Sequence, residues 1–168
     1  PDYTIDRMTG LVLDALTPAK RLYMFSTGTG FAPFASLIRD PETYEKFDEV
    51  IVTHTCREVA ELAYSKKTVE ATLNHEFLGE LVQGKLRYFD SVTREDYPRK
   101  GRITDLIESD ALAEALGVEP LNPQTDRVMI CGSMAMLADT KAICEKRGFK
   151  EGANSAPADF VIERAFVG

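Results

Sequence analysis

The sequence contains no apolar run near the roughly 18–20 residues that a membrane-spanning helix needs, so no membrane partner is expected. Its first residues, Pro1-Asp2-Tyr3-Thr4-Ile5-Asp6-Arg7, have neither the basic end nor the apolar stretch of a secretory signal. A cytoplasmic location is the expectation. Cysteine is scarce: Cys56, Cys131 and Cys144 form an odd set with no C-x-x-C pair and no histidine at zinc-ligand spacing. Neither a disulfide framework nor a metal site is expected, and each thiol reads as a small apolar filler in a reducing compartment. Positive charge is in short supply too, with 20 Lys and Arg against 27 Asp and Glu and a net charge of −7. Without a basic stripe, nucleic acid and anionic membranes are poor partner candidates. The two histidines, His54 and His75, stand apart from any serine–acid or metal set, and no chemistry is assigned to them. There is no internal repeat and no low-complexity segment.

What is present fits one ordinary globular core: 168 residues, 44% apolar and 28% charged. Short apolar runs predict strands at 21–25, 49–54, 85–89, 127–131 and 160–164. Helical composition fills the intervals, with Pro33 opening one helix that Asp40-Pro41 stops. Further helices are read over 58–73, from about 104, over 110–116 up to Gly117, and over 134–146 up to Gly148. Wholly apolar strands alternating with helices predict a doubly wound α/β domain, a five-stranded parallel sheet with helices on both faces. Residues 1–18 carry only a short apolar stretch before the first strand. They read as a remnant or linker leading out of something upstream, with the domain itself over 19–168.

In such a fold a ligand lies at the carboxyl ends of the strands, which selects the loops 26–33, 54–58, 91–102 and 131–134. The first, Ser26-Thr27-Gly28-Thr29-Gly30-Phe31-Ala32-Pro33, links a strand to a helix. Its glycines let backbone approach a diphosphate, to which amides and threonine hydroxyls donate. A tight structural turn is the plainer alternative, which Pro33 and the strand–helix context disfavour. In the last loop Cys131 can border a flat ring, Gly132 permits close approach and Ser133 is placed to cap the next helix. A buried thiol beside an ordinary cap is the plainer alternative. The loop from Val92 to Arg102 holds four cations, Arg94, Arg99, Lys100 and Arg102, in an otherwise acidic chain. An adenosine 2′-phosphate calls for arginine forks, whereas a free 2′-hydroxyl favours a carboxylate. Arg94 and Arg102 therefore argue for NADP over NAD, against the plainer reading of a solvated basic loop. Arg57 is positioned to meet the same ligand from another side, or else to pair with Glu58 or Glu61.

Taken in order, Ser26 to Phe34, His54-Thr55-Cys56-Arg57, Thr93-Arg94-Glu95, Gly101-Arg102, Cys131-Gly132-Ser133 and the ending Phe160 to Gly168 resemble the ferredoxin–NADP reductase superfamily, in particular its bacterial ferredoxin/flavodoxin–NADP reductases. The resemblance runs from about Gly10 onward. It implies a Rossmann-like NADP(H)-binding domain in a flavoenzyme that exchanges hydride between NADPH and FAD and passes electrons to ferredoxin or flavodoxin. Position by position, it implies that Gly28, Thr29 and Gly30 take the diphosphate, with Thr27 also near the flavin. Arg57, Thr93, Arg94 and Arg102 would hold the adenosine end. Gly132, Ser133, Met134 and Asp139 would line the groove, Cys131 would lie against the nicotinamide and Glu163 near the flavin–nicotinamide junction. Ala165 and Phe166 would touch the flavin. The family's Arg-x-Tyr-Ser flavin motif does not occur, since Tyr64-Ser65 lacks its arginine. The chain alone is therefore expected to be inactive, FAD being held mainly by a missing domain, and to be a monomer. Two other readings stay open: the NAD(P)H module of another flavin reductase, such as an oxygenase reductase, and a nucleotide-binding module with no redox role.

Overall fold

The computed structural model describes residues 13–163. Five strands, β1 (Ala19–Thr27), β2 (Phe47–Cys56), β3 (Leu86–Val92), β4 (Asp126–Cys131) and β5 (Phe160–Ile162), form one sheet. Their order is β3-β2-β1-β4-β5 and every pairing is parallel. This is the doubly wound arrangement expected from the alternation of apolar strands and helices. The chain winds outward from β1 to β3, returns to β4 beside β1, and ends on β5. The switch in winding falls between β1 and β4, where their carboxyl ends open a crevice.

Alternate strand residues feed two cores. Leu22, Met24, Val50, Val52 and Met129 face α1 (Phe31–Leu37), α2 (Pro41–Lys46), α3 (Ala63–Leu73) and α4 (Leu78–Val82). Tyr23, Phe25, Ile51, Val128 and Ile130 face α5 (Ile103–Glu108), α6 (Ala111–Leu116) and α7 (Met134–Lys146). The hydrophobic effect on both faces accounts for strands that read as continuous apolar runs. Leu13, Ala15 and Leu16 also lie in the first core, and Leu16 bridges Ala158. No helix among the described residues is long and apolar enough to cross a membrane.

Several boundaries differ from the sequence reading. Asp40-Pro41, read as a stop, also starts α2: the Asp40 carboxylate accepts from the Glu42 amide at 3.0 Å, with Pro41 in the first turn. The segment read as one helix over 58–73 begins as a 3-10 turn, Val59–Leu62, before α3. Helix α4 has five residues, too few to show a period, and starts where His75 Nδ1 accepts from the amides of Phe77 and Leu78. Strands β2 and β3 run on to Cys56 and Val92 through polar residues that break the apolar pattern. Strand β5 ends at Ile162, and Arg164 lies outside the described residues.

At the amino ends of β1 and β4, away from the crevice, Arg21 Nε donates to Asp126 Oδ1 at 3.0 Å, with both side chains buried. The Asn122 amide donates to the other carboxylate oxygen at 3.0 Å. Burial still outweighs these partners and raises the Asp126 carboxyl above its ordinary range.

Candidate functional site

At the carboxyl ends of the strands, a polar layer replaces the apolar one. Ser26, Thr53, His54, Thr55, Asp90 and Ser91 are all buried there. Ser26 Oγ donates to the Thr53 carbonyl at 2.6 Å, and the hydroxyls of Thr55 and Ser91 share a bond of 2.8 Å. Such bonds offset the desolvation of the hydroxyls that make them, while Thr53 Oγ1 has no hydrogen-bond partner among the described residues. Above this layer lies a groove of about 970 Å³, at the upper end of the roughly 300–1,000 Å³ of small-molecule and cofactor sites.

The glycine loop forms one wall. Gly28–Gly30 make a single 3-10 turn leading directly into α1. Gly28 adopts φ +53°, in the left-handed region that suits glycine. Thr27, Gly28 and Thr29 line the groove. Gly30 does not: it is buried, and a methyl group on it would lie 2.3 Å from the Cys131 carbonyl oxygen. Its place in the structure is to let the β1 and β4 loops touch backbone to backbone. Gly132 lines the opposite wall, where an added Cβ would meet Thr27 Oγ1. Ser133 caps α7 as expected, its hydroxyl accepting from the Met136 amide at 3.2 Å, while its own amide reaches Thr27 Oγ1 at 3.4 Å. The positive end of this 13-residue helix, with no acidic residue in its first turn, therefore faces the groove. Met134 is exposed at the rim, and Asp139 lines the same wall.

The far wall is basic, and Arg57, Thr93, Arg94 and Arg102 all line it. The ladder between β2 and β3 continues past the strand ends, with the Thr93 amide donating to the Cys56 carbonyl (3.1 Å) and Arg94 to Arg57 (3.0 Å). The next loop closes on itself: Val92 donates to the Arg99 carbonyl at 3.2 Å and Gly101 to the Val92 carbonyl at 3.0 Å, which returns Arg102 to the groove. Among the described arginines, Arg21, Arg39, Arg87, Arg99, Arg127 and Arg147 spend their guanidinium groups on protein oxygens. Arg57, Arg94 and Arg102 make no side-chain hydrogen bond or ion pair among the described residues, so Arg57 pairs with neither Glu58 nor Glu61. Glu61 instead accepts from the Glu58 amide in a capping box. The fork that an anion requires is thus left unspent on all three.

Other expected site residues lie elsewhere. Cys131 is fully buried at the end of β4 and does not line the groove. Glu163 is half-buried just past β5, also off the groove, and burial raises its carboxyl above the ordinary range. Its amide donates to the Ile130 carbonyl at 2.8 Å, which extends the β4–β5 ladder. Ala165 and Phe166 fall outside the described residues.

His54, to which the sequence reading assigned nothing, is buried beneath the glycine loop. Its Nε2 stands 2.7 Å from the Gly28 carbonyl and its Nδ1 2.6 Å from Ser65 Oγ. A carbonyl only accepts, so Nε2 carries the proton; Ser65 Oγ lies within bonding distance of Nδ1, of the Leu62 carbonyl at 3.1 Å and of the Tyr88 hydroxyl at 2.7 Å. Burial pulls the His54 pKa below 6.5, against the pull of the Gly28 bond. Cys56 Sγ lies 3.3 Å from Nε2. Burial, then the Glu61 charge, pushes its thiol up to about 11, so it is a neutral wall rather than a nucleophile. The signal that sequence reading passed over was a run of polar residues at a strand's end, Thr53 to Thr55, that continues the β2 ladder into the interior.

A parallel doubly wound sheet with a glycine loop at its switch point, a helix amino end and unspent arginines defines a nucleotide-binding α/β domain. The chain belongs to the oxidoreductase NAD-binding domain family, whose profile matches residues 24–142. It is 56% identical over 158 residues to a flavodoxin/ferredoxin–NADP reductase of Rhodobacter capsulatus, covering 94% of this chain and 58% of that protein. A ferredoxin–NADP reductase of Pseudomonas aeruginosa is 49% identical over 158 residues, with 94% and 61% covered. Among solved structures, a ferredoxin NADP+ reductase of Neisseria gonorrhoeae with bound FAD and NADP superposes with a TM-score of 0.79 at 27% identity, over 93% of this chain and 60% of that one. The chain therefore spans about three fifths of the length of these relatives.

Proposed function

We propose that this chain is the NADP(H)-binding part of a ferredoxin/flavodoxin–NADP reductase, with residues 19–168 as the dinucleotide domain. The observation that carries the reading is the convergence of Arg57, Arg94 and Arg102, none of them with a side-chain partner among the described residues, on one wall of a groove that a glycine loop and a helix amino end also line. That donor set fits a dinucleotide with an extra phosphate. Arg57, Thr93, Arg94 and Arg102 would hold the adenosine end and its 2′-phosphate. Gly28 and Thr29 would hold the diphosphate, with Gly30 keeping their loop against β4, and Thr27, Gly132, Ser133, Met134 and Asp139 would line the path between. The names of the relatives support the particular enzyme.

When bound, NADP(H) supplies a hydride-donating or hydride-accepting ring, and the protein's part is orientation and electrostatics. Gly132 leaves room for close approach beside Thr27. Cys131 ends β4 just below, buried behind Gly132, and would back the nicotinamide end of the groove. Glu163, kept protonated more readily by burial, would serve at the flavin side together with Ala165 and Phe166. FAD would be held mainly by residues beyond 13–163, and ferredoxin or flavodoxin would be the electron partner of the full-length enzyme. We take that enzyme to be a cytoplasmic monomer.

The test is calorimetric titration of the chain with NADP+, NADPH and NAD+, beside an Arg94→Ala/Arg102→Ala variant. We expect at least a roughly tenfold preference for the phosphorylated cofactor, since a charge-assisted bond contributes about 1.5–3 kcal/mol. The variant should lose that preference and keep its NAD+ affinity. Equal affinity of the unsubstituted chain for NADP+ and NAD+ would overturn the reading.

A further inference from the structure

Beneath the basic wall lies a carboxylate that nothing above has used. Asp90, on β3, is 1% exposed and is not a groove residue. Its Oδ1 accepts from the Tyr97 hydroxyl at 2.8 Å and from Arg99 Nη2, and its backbone carbonyl accepts from Arg99 Nε at 2.7 Å. Lys66 Nζ stands 3.9 Å from Oδ2. The same cations lie over rings: Arg99 is 5.4 Å from the centroid of Phe89 and 5.7 Å from that of Tyr97, and Lys66 is 5.1 Å from that of Tyr97. Tyr97 also packs against the small cluster of Cys56, Leu62 and Val92 under the groove wall.

The position of this cluster matters more than its strength. Tyr97 and Arg99 belong to the loop whose two feet carry Arg94 and Arg102. A buried charge of this kind is weak support for stability, because desolvation consumes most of the attraction. What it does fix is the course of the loop. Arg99 is bound twice to Asp90, through both its side chain and the residue's carbonyl, while the Arg99 carbonyl receives the Val92 amide. Each contact pins the returning strand of the loop to β3, and Gly101, at φ +140°, then turns the chain into Arg102. The foot at Arg94 is tied to Arg57 by the ladder already described. Lys66 and Arg99 also offset a negative charge that would otherwise lie below a phosphate and repel it.

We propose that Asp90, Tyr97 and Arg99 form a positioning clamp that sets selectivity for a 2′-phosphorylated adenosine without touching it, by holding Arg94 and Arg102 in register with Arg57. The inference rests on the reading of the groove as an NADP(H) site and adds residues outside the ligand's reach to the determinants of its specificity. Of the four cations in the loop, two then face the ligand and Arg99 faces the protein.

The probes are 2′,5′-ADP and 5′-AMP, which differ only in the 2′-phosphate, titrated calorimetrically into the chain and its Tyr97→Phe variant. Tyr97→Phe removes one hydroxyl and no charge. The ratio of the two affinities should fall about three- to tenfold, the range of one hydrogen bond, with the 5′-AMP affinity unchanged. In an Arg94→Ala/Arg102→Ala background the same substitution should change nothing, because the clamp has no arginines left to place. Arg99→Met, at a half-exposed side chain, is the second variant and should lower the ratio further; it carries the test if circular dichroism shows that Tyr97→Phe does not fold. An unchanged ratio in the folded variants overturns the clamp, as does an equal loss in the arginine-free background. Absence of any preference in the unsubstituted chain overturns the underlying reading and the clamp with it.

Discussion

The contact between the first and fourth loops can be tested at Gly30. Alanine there would place a methyl carbon 2.3 Å from the Cys131 carbonyl oxygen, 2.6 Å from its carbon and 2.8 Å from the Gly132 nitrogen. All three are main-chain atoms, so no rotamer relieves the overlap. The two loops would have to part by roughly 1 Å to reach ordinary contact. Overpacking of this kind costs about 1–3 kcal/mol, and backbone on both sides puts Gly30→Ala at the upper end, about 3 kcal/mol. For a domain of this size that corresponds to a fall of about 6–12 °C in Tm. Gly28 is the internal comparison. It has the less tolerant backbone, φ +53°, yet an added Cβ would meet nothing within 4 Å. Gly28→Ala should therefore cost only the left-handed conformation, about 1–2 kcal/mol, less the roughly 0.4–1 kcal/mol returned by a stiffer unfolded chain. Urea and thermal unfolding of both variants would measure the difference. Because both parted loops line the groove, Gly30→Ala should also weaken NADP+ binding about tenfold or more. Gly30→Ala within 1 kcal/mol of the unsubstituted chain, or less destabilising than Gly28→Ala, would refute the reasoning.

Two further outcomes concern buried polar groups. His54 titrates below 6.5 in the folded chain, so the unfolded chain binds more protons there; the stability it contributes is present above that value and is lost as pH falls through the folded pKa. His54→Gln should flatten the decline of the urea midpoint between about pH 8 and pH 5, and an unchanged slope would count against the assignment. At the opposite end of the sheet, Asp126→Ala strands Arg21 in the interior and should cost about 3–5 kcal/mol in urea unfolding. NADP+ affinity should not move, and a large loss of binding in folded protein would mean that the two ends of the sheet are coupled.

Most of the fold was legible because both faces of a parallel sheet are covered, which forces apolar strands to show themselves. The order of loops along the chain was legible for the same reason, and it put Thr27, Arg57, Arg94, Arg102 and Ser133 around one groove before any geometry was known. What escaped was short or buried. Helix α4 has no room for a period, and α2 hid behind a dipeptide that ends one helix while starting another. Asp90 fell just past the strand predicted at 85–89 and His54 closed the one predicted at 49–54, since polar side chains ended the apolar runs. Only the ladder that continues beneath them shows that they lie inside. Gly30 was legible as necessary but not for its reason: spacing alone cannot separate a glycine that makes room for a ligand from one that makes room for a neighbouring strand.

The three unspent guanidinium groups also have a bearing on the chain's own stability. Like charges gathered on one wall repel, and among the described residues none of the three is ion-paired, although acidic residues outnumber basic ones by 27 to 20. A sequence shaped for stability alone would pair them or replace them. On the proposed function, the groove is a place where folding free energy is given up in advance and recovered when the ligand's phosphate shares the charge.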